Sequence, residues 1–356
     1  MPINENAPLS VTPGAIRFNT DSMKLEYYRG GPVGFGTTTT TGEWVNLTTD
    51  TPDIQTGGTR GLFSAGYDGY PPSTLYTNVI DYITISTTGN AIDFGDTTTA
   101  SVNAQGCSSS TRGITSHGNV WQNIIDYVTI SSTGNAQDFG DDLGNEVAGT
   151  GLSNSTRGLL CGGTNPSGAI NSIGYITIAS TGNAVDFGDM RNTGAAAGQA
   201  SPTRGIFAVG SIPLATFNTE FVTISTLGNS AQFGDLSVQR GGSAGFSNST
   251  RGIFAGGTIS TPTPGTQTNI IDYITIATLG NAIDFGDLYA VRSSHTATCS
   301  STRGVLGGGY DGPATTNIMD YITIMSTGNS IDFGDLTYNR WSPAKGVISN
   351  GHGGLG

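Results

Sequence analysis

Three short signatures recur six times in a fixed order along this chain, and that periodicity limits its fold more than any other feature. The first is Thr-Arg-Gly, with its arginine at Arg60, Arg112, Arg157, Arg204, Arg251 and Arg303, at successive spacings of 52, 45, 47, 47 and 52. The second is an Ile/Val-Thr-Ile triplet centred on Thr84, Thr129, Thr177, Thr223, Thr275 and Thr323, preceded each time by Tyr or, once, by Phe221. The third is Phe-Gly-Asp, ending at Asp96, Asp141, Asp189, Asp235, Asp287 and Asp335. Within one unit, Tyr273 to Ile276 alternates with period two, Leu279-Gly280-Asn281 supplies a turn with positive φ, and Ala282 to Phe285 resumes extended chain, so the segment reads as a hairpin. Upstream, Thr250 to Gly257 reads as a buried strand, preceded by a looser one around Gly242 to Phe246. Four antiparallel strands in about 48 residues have the dimension of a β-propeller blade, whereas solenoid repeats are shorter or contain helix.

The two ends bear on ring closure. After the sixth hairpin, Lys345-Gly346-Val347 echoes Arg303-Gly304-Val305, as if a seventh unit began there. At the other end, Ala15 to Asn19 and Lys24 to Tyr28 flank a turn, and Glu43 to Leu47 stands where Asp-Phe-Gly-Asp-Leu stands elsewhere. The expectation is an all-β propeller of six full four-stranded repeats plus a seventh composite blade closed by the N- and C-terminal strands, which would leave no sheet edge free to aggregate. The alternative is six blades with an N-terminal β-hairpin appendage. The domain reading is an N-terminal hairpin region over 1–50 and propeller repeats over 51–356.

Composition supports the strand reading and narrows the functions. Gly 55 and only 11% charged residues describe short strands and tight turns. A net charge of −12, with no Lys/Arg cluster, disfavours nucleic acid and anionic lipid. Cys107, Cys161 and Cys299 are an odd number without ligand spacing, and read as small buried residues. The N-terminus has neither a basic nor an apolar signal region, and no apolar run reaches about 20 residues. Synthesis in the cytoplasm, no membrane insertion, and release by lysis or within a particle are therefore expected.

Chemistry is sparse. Asp-Phe-Gly also occurs in protein kinases, but six copies in phase mark a structural element. Because the six arginines and the six Phe-Gly-Asp aspartates recur in phase, each Arg is expected to meet a carboxylate within or between blades. Calcium binding by the Asp-x-x-Asp turns is the weaker alternative, since Gln232 replaces the first Asp of the fourth copy. His117, His295 and His352 occupy unrelated repeat positions, and no nucleophile elbow, zinc motif or phosphate loop is present, so a non-enzymatic protein without cofactor or metal is expected. Blades differ most in the connection between the second and third strands, where binding usually resides. The candidate ligand contacts there are Tyr67, Asp68, Tyr70, Trp121, Tyr310 and Asp311, aromatics beside Asp or Asn that suit a sugar or a protein.

Gly162-Gly163, Gly256-Gly257 and Gly307-Gly308 resemble the glycine doublet of kelch-type propellers, with Phe94 and its equivalents in place of the kelch tryptophan. Asp272 to Ile276 followed by Gly280 to Leu288 resembles repeats of virion structural proteins from tailed phages of marine cyanobacteria. Pro13 to Asp21, Leu25 to Tyr28 and Trp44 are similar to a hairpin module of phage fibre and tail-associated proteins. This resemblance implies a location on the virion, with other virion proteins as partners and a host surface polysaccharide or protein receptor as ligand. A purely structural decoration, neck or tail protein is the runner-up, and a glycan-degrading enzyme the third reading.

Overall fold

The computed structural model describes residues 15–19, 24–30, 42–46, 59–68, 75–118, 122–144, 146–209, 216–259, 265–312 and 314–355. The chain divides into two units, Met1–Thr56 and Gly57–Gly356. In the first, Ile16–Asn19, Lys24–Gly30 and Gly42–Asn46 form a three-stranded antiparallel sheet of their own. The expectation that these strands complete a blade is not met.

The second unit is a six-bladed β-propeller, each blade a four-stranded antiparallel sheet. Blades are numbered 1 to 6 by their Thr-Arg-Gly arginines, Arg60 to Arg303. In blade 5 the strands run Ala244–Ser247, Arg251–Ala255, Ile270–Thr275 and Ile283–Asp287 from the axis to the perimeter. The period-two pattern places Phe254 and Ile274 of blade 5 against Ile206 and Phe233 of blade 4, so the apolar core lies between neighbouring blades.

The Gly-Asn turn of each blade docks on the Phe-Gly-Asp of the blade before it. Gly134 N–H donates to Phe94 O at 2.8 Å and Ala136 N–H to Asp96 O at 2.7 Å. Asn135 Oδ1 accepts from Asp96 N–H at 3.1 Å. The set repeats around the ring and ends with Asn90 Oδ1 accepting from Asp335 N–H at 3.1 Å. Gly95 sits at φ 142°, and a Cβ there would lie 2.6 Å from the Gly134 carbonyl oxygen, which is why glycine follows the phenylalanine.

Closure corrects the blade count. A composite blade exists, but it is blade 1 of six: Arg340–Trp341 pairs with Arg60–Asp68, which continues into Leu75–Thr84 and Ile92–Ser101. The donated segment stays beside that strand: Ala344 N–H reaches Ser64 O, Leu62 N–H reaches Ile348 O (each 2.9 Å), and Asn350 Oδ1 accepts from Arg60 N–H at 2.8 Å. Asn350 thus does what Asn248 Oδ1 does for Arg251 N–H at 2.7 Å. Lys345-Gly346-Val347 is therefore part of an innermost strand, not the counterpart of Arg303-Gly304-Val305.

That segment also fills the axis. The Lys345 carbonyl accepts from Gly106 N–H at 2.7 Å and Gly151 N–H at 3.0 Å, and Thr296 Oγ1 donates to Ala344 O at 2.6 Å. Gly346 has φ 110°, and a Cβ there would collide with the carbonyls of Gly106 and Gly151. Below it, hydroxyls link innermost strands: Ser153 Oγ to Ser108 O at 2.7 Å, Ser247 Oγ to Ala200 O at 2.7 Å, and Ser349 Oγ to Cys299 O at 2.6 Å. A 3-10 turn, Gly353–Leu355, caps this end. Burial lowers the His352 imidazole to about 4, so the ring is neutral; Nδ1 accepts from Gly354 N–H at 3.1 Å and Nε2 donates to Ser108 O at 3.0 Å.

Deleting residues 340–356 should leave blade 1 with an open edge and the axis empty. The expected outcome is loss of the single cooperative unfolding transition in calorimetry, restored by adding the 340–356 peptide. An unchanged transition in the deletion would mean that the ring closes without this strand.

Candidate functional site

The residues that organise the loop-bearing face are acidic and lie one position before the Tyr of each Ile/Val-Thr-Ile signature. Asp81, Asp126, Glu220, Asp272 and Asp320 stand there, and Gly174 in blade 3. All five carboxylates are buried. Each reaches the preceding blade and accepts from the main chain at the fourth residue after its Phe: Thr98 N–H to Asp126 (2.7 Å), Arg191 to Glu220 (3.0 Å), Ser237 to Asp272 (3.1 Å), Tyr289 to Asp320 (3.3 Å) and Thr337 to Asp81 (3.1 Å). Where Gly174 offers no carboxylate, Asp142 Oδ1 accepts from Leu143 N–H at 2.8 Å instead. Six N–H groups are thus held by buried acids, while the side chains of Thr98, Leu143, Arg191, Ser237, Tyr289 and Thr337 are exposed.

Three junctions balance the acid with an arginine from the chain that follows the preceding Phe-Gly-Asp. Arg240 Nη1 lies 3.0 Å from Asp272 Oδ2, Arg340 Nη2 lies 2.6 Å from Asp81 Oδ2, and Arg292 pairs with Asp320, all essentially inaccessible. These are not the Arg–Asp pairs expected from the repeat. The Thr-Arg-Gly arginines meet no carboxylate among the described residues: Arg60 Nη1 donates to Ile130 O of the next blade at 3.0 Å, and the set repeats through Arg112, Arg157, Arg204 and Arg251 to Arg303 Nη1 on Ile85 O. Each also covers the ring before its own Ile/Val-Thr-Ile, at 4.2 Å for Arg303 over Tyr321. The aspartates of Phe-Gly-Asp give their main chain to the docked Asn turn.

At the junction of blades 1 and 2, Ser101 takes the arginine's place and His117 fills the space. Ser101 Oγ is 2.7 Å from His117 Nδ1, and His117 Nε2 is 2.6 Å from Asp126 Oδ2. The order resembles a hydrolase triad, but Ser101 is 0% and His117 1% exposed, so no substrate carbonyl reaches the hydroxyl. The sequence hides this chain because Ser101 replaces the arginine of other repeats and His117 stands at no repeated position.

The junction of blades 2 and 3 inverts the charge: Glu146 stands where Arg240, Arg292 and Arg340 stand, facing Gly174. Ser116 Oγ donates to Asp142 Oδ2 and Ser172 Oγ to Glu146 Oε1, both at 2.8 Å. Burial raises the Asp142 carboxyl; burial and the Asp142 charge push Glu146 up to about 7. Cys107 and Cys161 face the same pair; burial pushes Cys107 up to about 12 and Cys161 upward as well, leaving unreactive thiols.

Of the loop candidates, Tyr67 and Tyr310 converge. Tyr67 stacks on Trp341 at 4.9 Å and meets Tyr76 at 5.1 Å, and Tyr310 lies 6.2 Å from Trp341. Trp341 belongs to the closing strand, so this row clamps the ring shut. Burial and a hydrogen bond with Tyr76 push the Tyr67 phenol up to about 12. Asp311 Oδ1 accepts from Ala314 N–H at 2.9 Å beside a small niche. The Asp68 main chain pairs with Arg340 and Leu75; its side chain, Tyr70 and Trp121 lie outside the described residues. No group of three metal-ligating side chains occurs among the described residues.

No protein-family profile matches the chain, and no curated protein matches it significantly.

Two measurements test the junctions. Asp272→Ala strands a buried guanidinium and should lower the unfolding free energy by about 3–5 kcal/mol in denaturant titration; a change within about 0.5 kcal/mol would remove the clamp from the account. Glu146 binds its proton more tightly folded than unfolded, so its contribution is full below its ordinary value of 4.5 and fades as pH rises through about 7. Glu146→Gln should abolish that part of the pH dependence of Tm between pH 5 and 8, and a parallel profile would show that the raised acid is not linked to folding.

Proposed function

We propose that this chain is a surface protein of a tailed-phage virion, a rigid, non-enzymatic propeller that binds other virion proteins and contacts host surface glycan through its loop-bearing face. One observation carries the recognition role. At one repeat position the main chain is clamped by a buried acid in every blade; the hydroxyls of Thr98, Ser237 and Thr337 join that clamp, while Leu143, Arg191 and Tyr289 give the acid only their main chain and keep exposed side chains of different chemistry. A fixed backbone with varied side chains lowers the ordering cost of binding. The particle location rests on the resemblance of the repeats and the N-terminal hairpin to virion proteins, and the N-terminal unit is the proposed attachment to the particle.

A second reading, a purely structural particle component, draws support from the perimeter. Ile92, Val185, Ile283 and Ile331 are each more than half exposed on outermost strands, which suits packing against neighbouring protein.

Binding of the purified chain to intact cyanobacterial cells and their extracted surface polysaccharide separates the two. The expected result is saturable binding, weakened at least about tenfold, the range of a few lost contacts, when Leu143, Arg191 and Tyr289 are all alanine. No binding by the folded chain would leave the structural reading.

A further inference from the structure

We infer that the junction of blades 6 and 1 carries an oxyanion subsite, a pocket that takes a sulfate or phosphate group, free or esterified to a sugar. It lies at the end of the ring capped by Gly353–Leu355, where the first and second strands of each blade connect. That end is opposite the loop-bearing face, so the inference does not depend on the glycan reading of that face. The pocket has a volume of about 250 Å³ and is bordered by Thr59 and Ser86 of blade 1 and by Ser300, Ser301, Thr302 and Arg303 of blade 6. Every bordering side chain can donate a hydrogen bond, one is a cation, and none is a carboxylate or a hydrocarbon chain.

Arg303 supplies the charge. Its guanidinium is fixed over the Tyr321 ring, 4.2 Å from the centroid, and by Nη1, which donates to Ile85 O at 3.0 Å and to Ser86 O at 3.1 Å. The three remaining N–H groups have no acceptor among the described residues, and an oxyanion accepts from such donors more strongly than a neutral oxygen does. The turn before Arg303 is fixed as well. Ser300 Oγ accepts from Arg303 N–H at 3.0 Å and from Thr302 N–H at 3.3 Å, which holds the exposed Ser301 and Thr302 beside the cation. Groups held in this way lose little entropy when a ligand binds. The hydroxyls of Thr59, Ser86 and Ser301 have no hydrogen-bond partner among the described residues and come from two blades, an arrangement suited to the several directions of a tetrahedral group.

The sequence makes this junction unlike the other five. All six have a Thr-Arg-Gly arginine, but only here do serines occupy all three variable positions, Ser300 and Ser301 in blade 6 and Ser86 in blade 1. Between blades 2 and 3, Ser109 and Ser110 are met by Ala179 at the third position. Between blades 5 and 6 the third position is Met325, whose Sδ accepts from Thr250 Oγ1 at 3.8 Å and so covers the counterpart of Thr302. The net charge of −12 does not oppose an anion here at physiological salt, because charges farther away than about 8 Å are largely screened and no carboxylate borders the pocket.

The test is NMR titration of the isotope-labelled full chain with inorganic sulfate and, separately, phosphate, at constant ionic strength. The Arg303 Nε–Hε signal and the amides of Ser301 and Thr302 should shift and saturate with a dissociation constant on the order of 1 mM. Arg60, Arg112, Arg157, Arg204 and Arg251, which hold the same repeat position, are internal controls and should stay still. Ser86→Met installs the blade 6 residue and Ser301→Asp adds a repelling charge, both at exposed positions. Each should weaken binding at least about tenfold, the scale of one lost hydrogen bond to a charged group. Glucose 6-sulfate and glucose identify the source: an ester that binds tighter than free sulfate assigns the site to a sulfated sugar, and one that does not assigns it to the ion. Shifts that never saturate, that appear equally at all six arginines or that survive both substitutions overturn the subsite, as does equal binding of glucose and its sulfate.

Discussion

The ring depends on a strand donated from the far end of the chain. In blades 2 to 6 the innermost strand directly precedes its Thr-Arg-Gly strand; in blade 1 the corresponding partner arrives from residues 340–350. Loop-closure entropy grows only logarithmically with length, about 0.6 kcal/mol for each doubling, so bringing the strand from so far costs little more than bringing it from nearby. In return the donated segment satisfies the blade 1 edge, carries Arg340 to Asp81, and places Trp341 between Tyr67 and Tyr310. At Lys345-Gly346 it turns the carbonyl of Lys345 onto the N–H groups of two other blades. Closure and the filled axis are therefore one device.

Junction chemistry follows from the same geometry. Two sheets packed on apolar faces leave a connector whose N–H points inward, and an acid from the next blade accepts it. Once an acid is buried, something must offset its charge or donate to it. Arginine does so at three junctions, His117 with Ser101 at a fourth, and Ser230 Oγ, at 2.5 Å, with Asn192 Nδ2, at 2.6 Å, on Glu220 at a fifth. At the sixth the acid comes from the connector itself. What repeats is acceptance of the N–H, and the counter-group varies freely around it.

That distinction explains how much was legible in the sequence. Strand type, repeat phase and closed architecture follow from groups present in every copy, such as the Gly-Asn turn and the Phe-Gly-Asp on which it docks. The phase of Arg60 and its equivalents was equally plain, but sequence spacing does not reveal that a guanidinium ends on a carbonyl and a ring. Arg240, Arg292 and Arg340 escaped notice because the other three repeats carry Ser101, Glu146 and Gly194 there. The blade count went wrong at the closing strand, where two residues more than in blades 5 and 6 separate Arg340 from its capping Asn350. Alignment of Lys345-Gly346-Val347 with the wrong strand then produced a seventh blade. Among the loop candidates, Tyr67 and Tyr310 look like ligand contacts until Trp341, distant in sequence, is placed between them.

The face that remains for recognition is the one the clamps leave free. Tyr67 and Trp341 spend their ring faces on each other, so they hold the ring rather than greet a partner. Tyr289 differs: its main chain is bound to two side chains of the next blade, and its own ring has no aromatic neighbour among the described residues. Rigidity and availability are thus separated at the level of the single residue, main chain for the fold and side chain for the ligand. The rim is not uniform in this respect, because Thr98, Ser237 and Thr337 also donate their hydroxyls to the buried acids of the next blade and so belong to the junctions, whereas Tyr289 gives its junction the main chain alone.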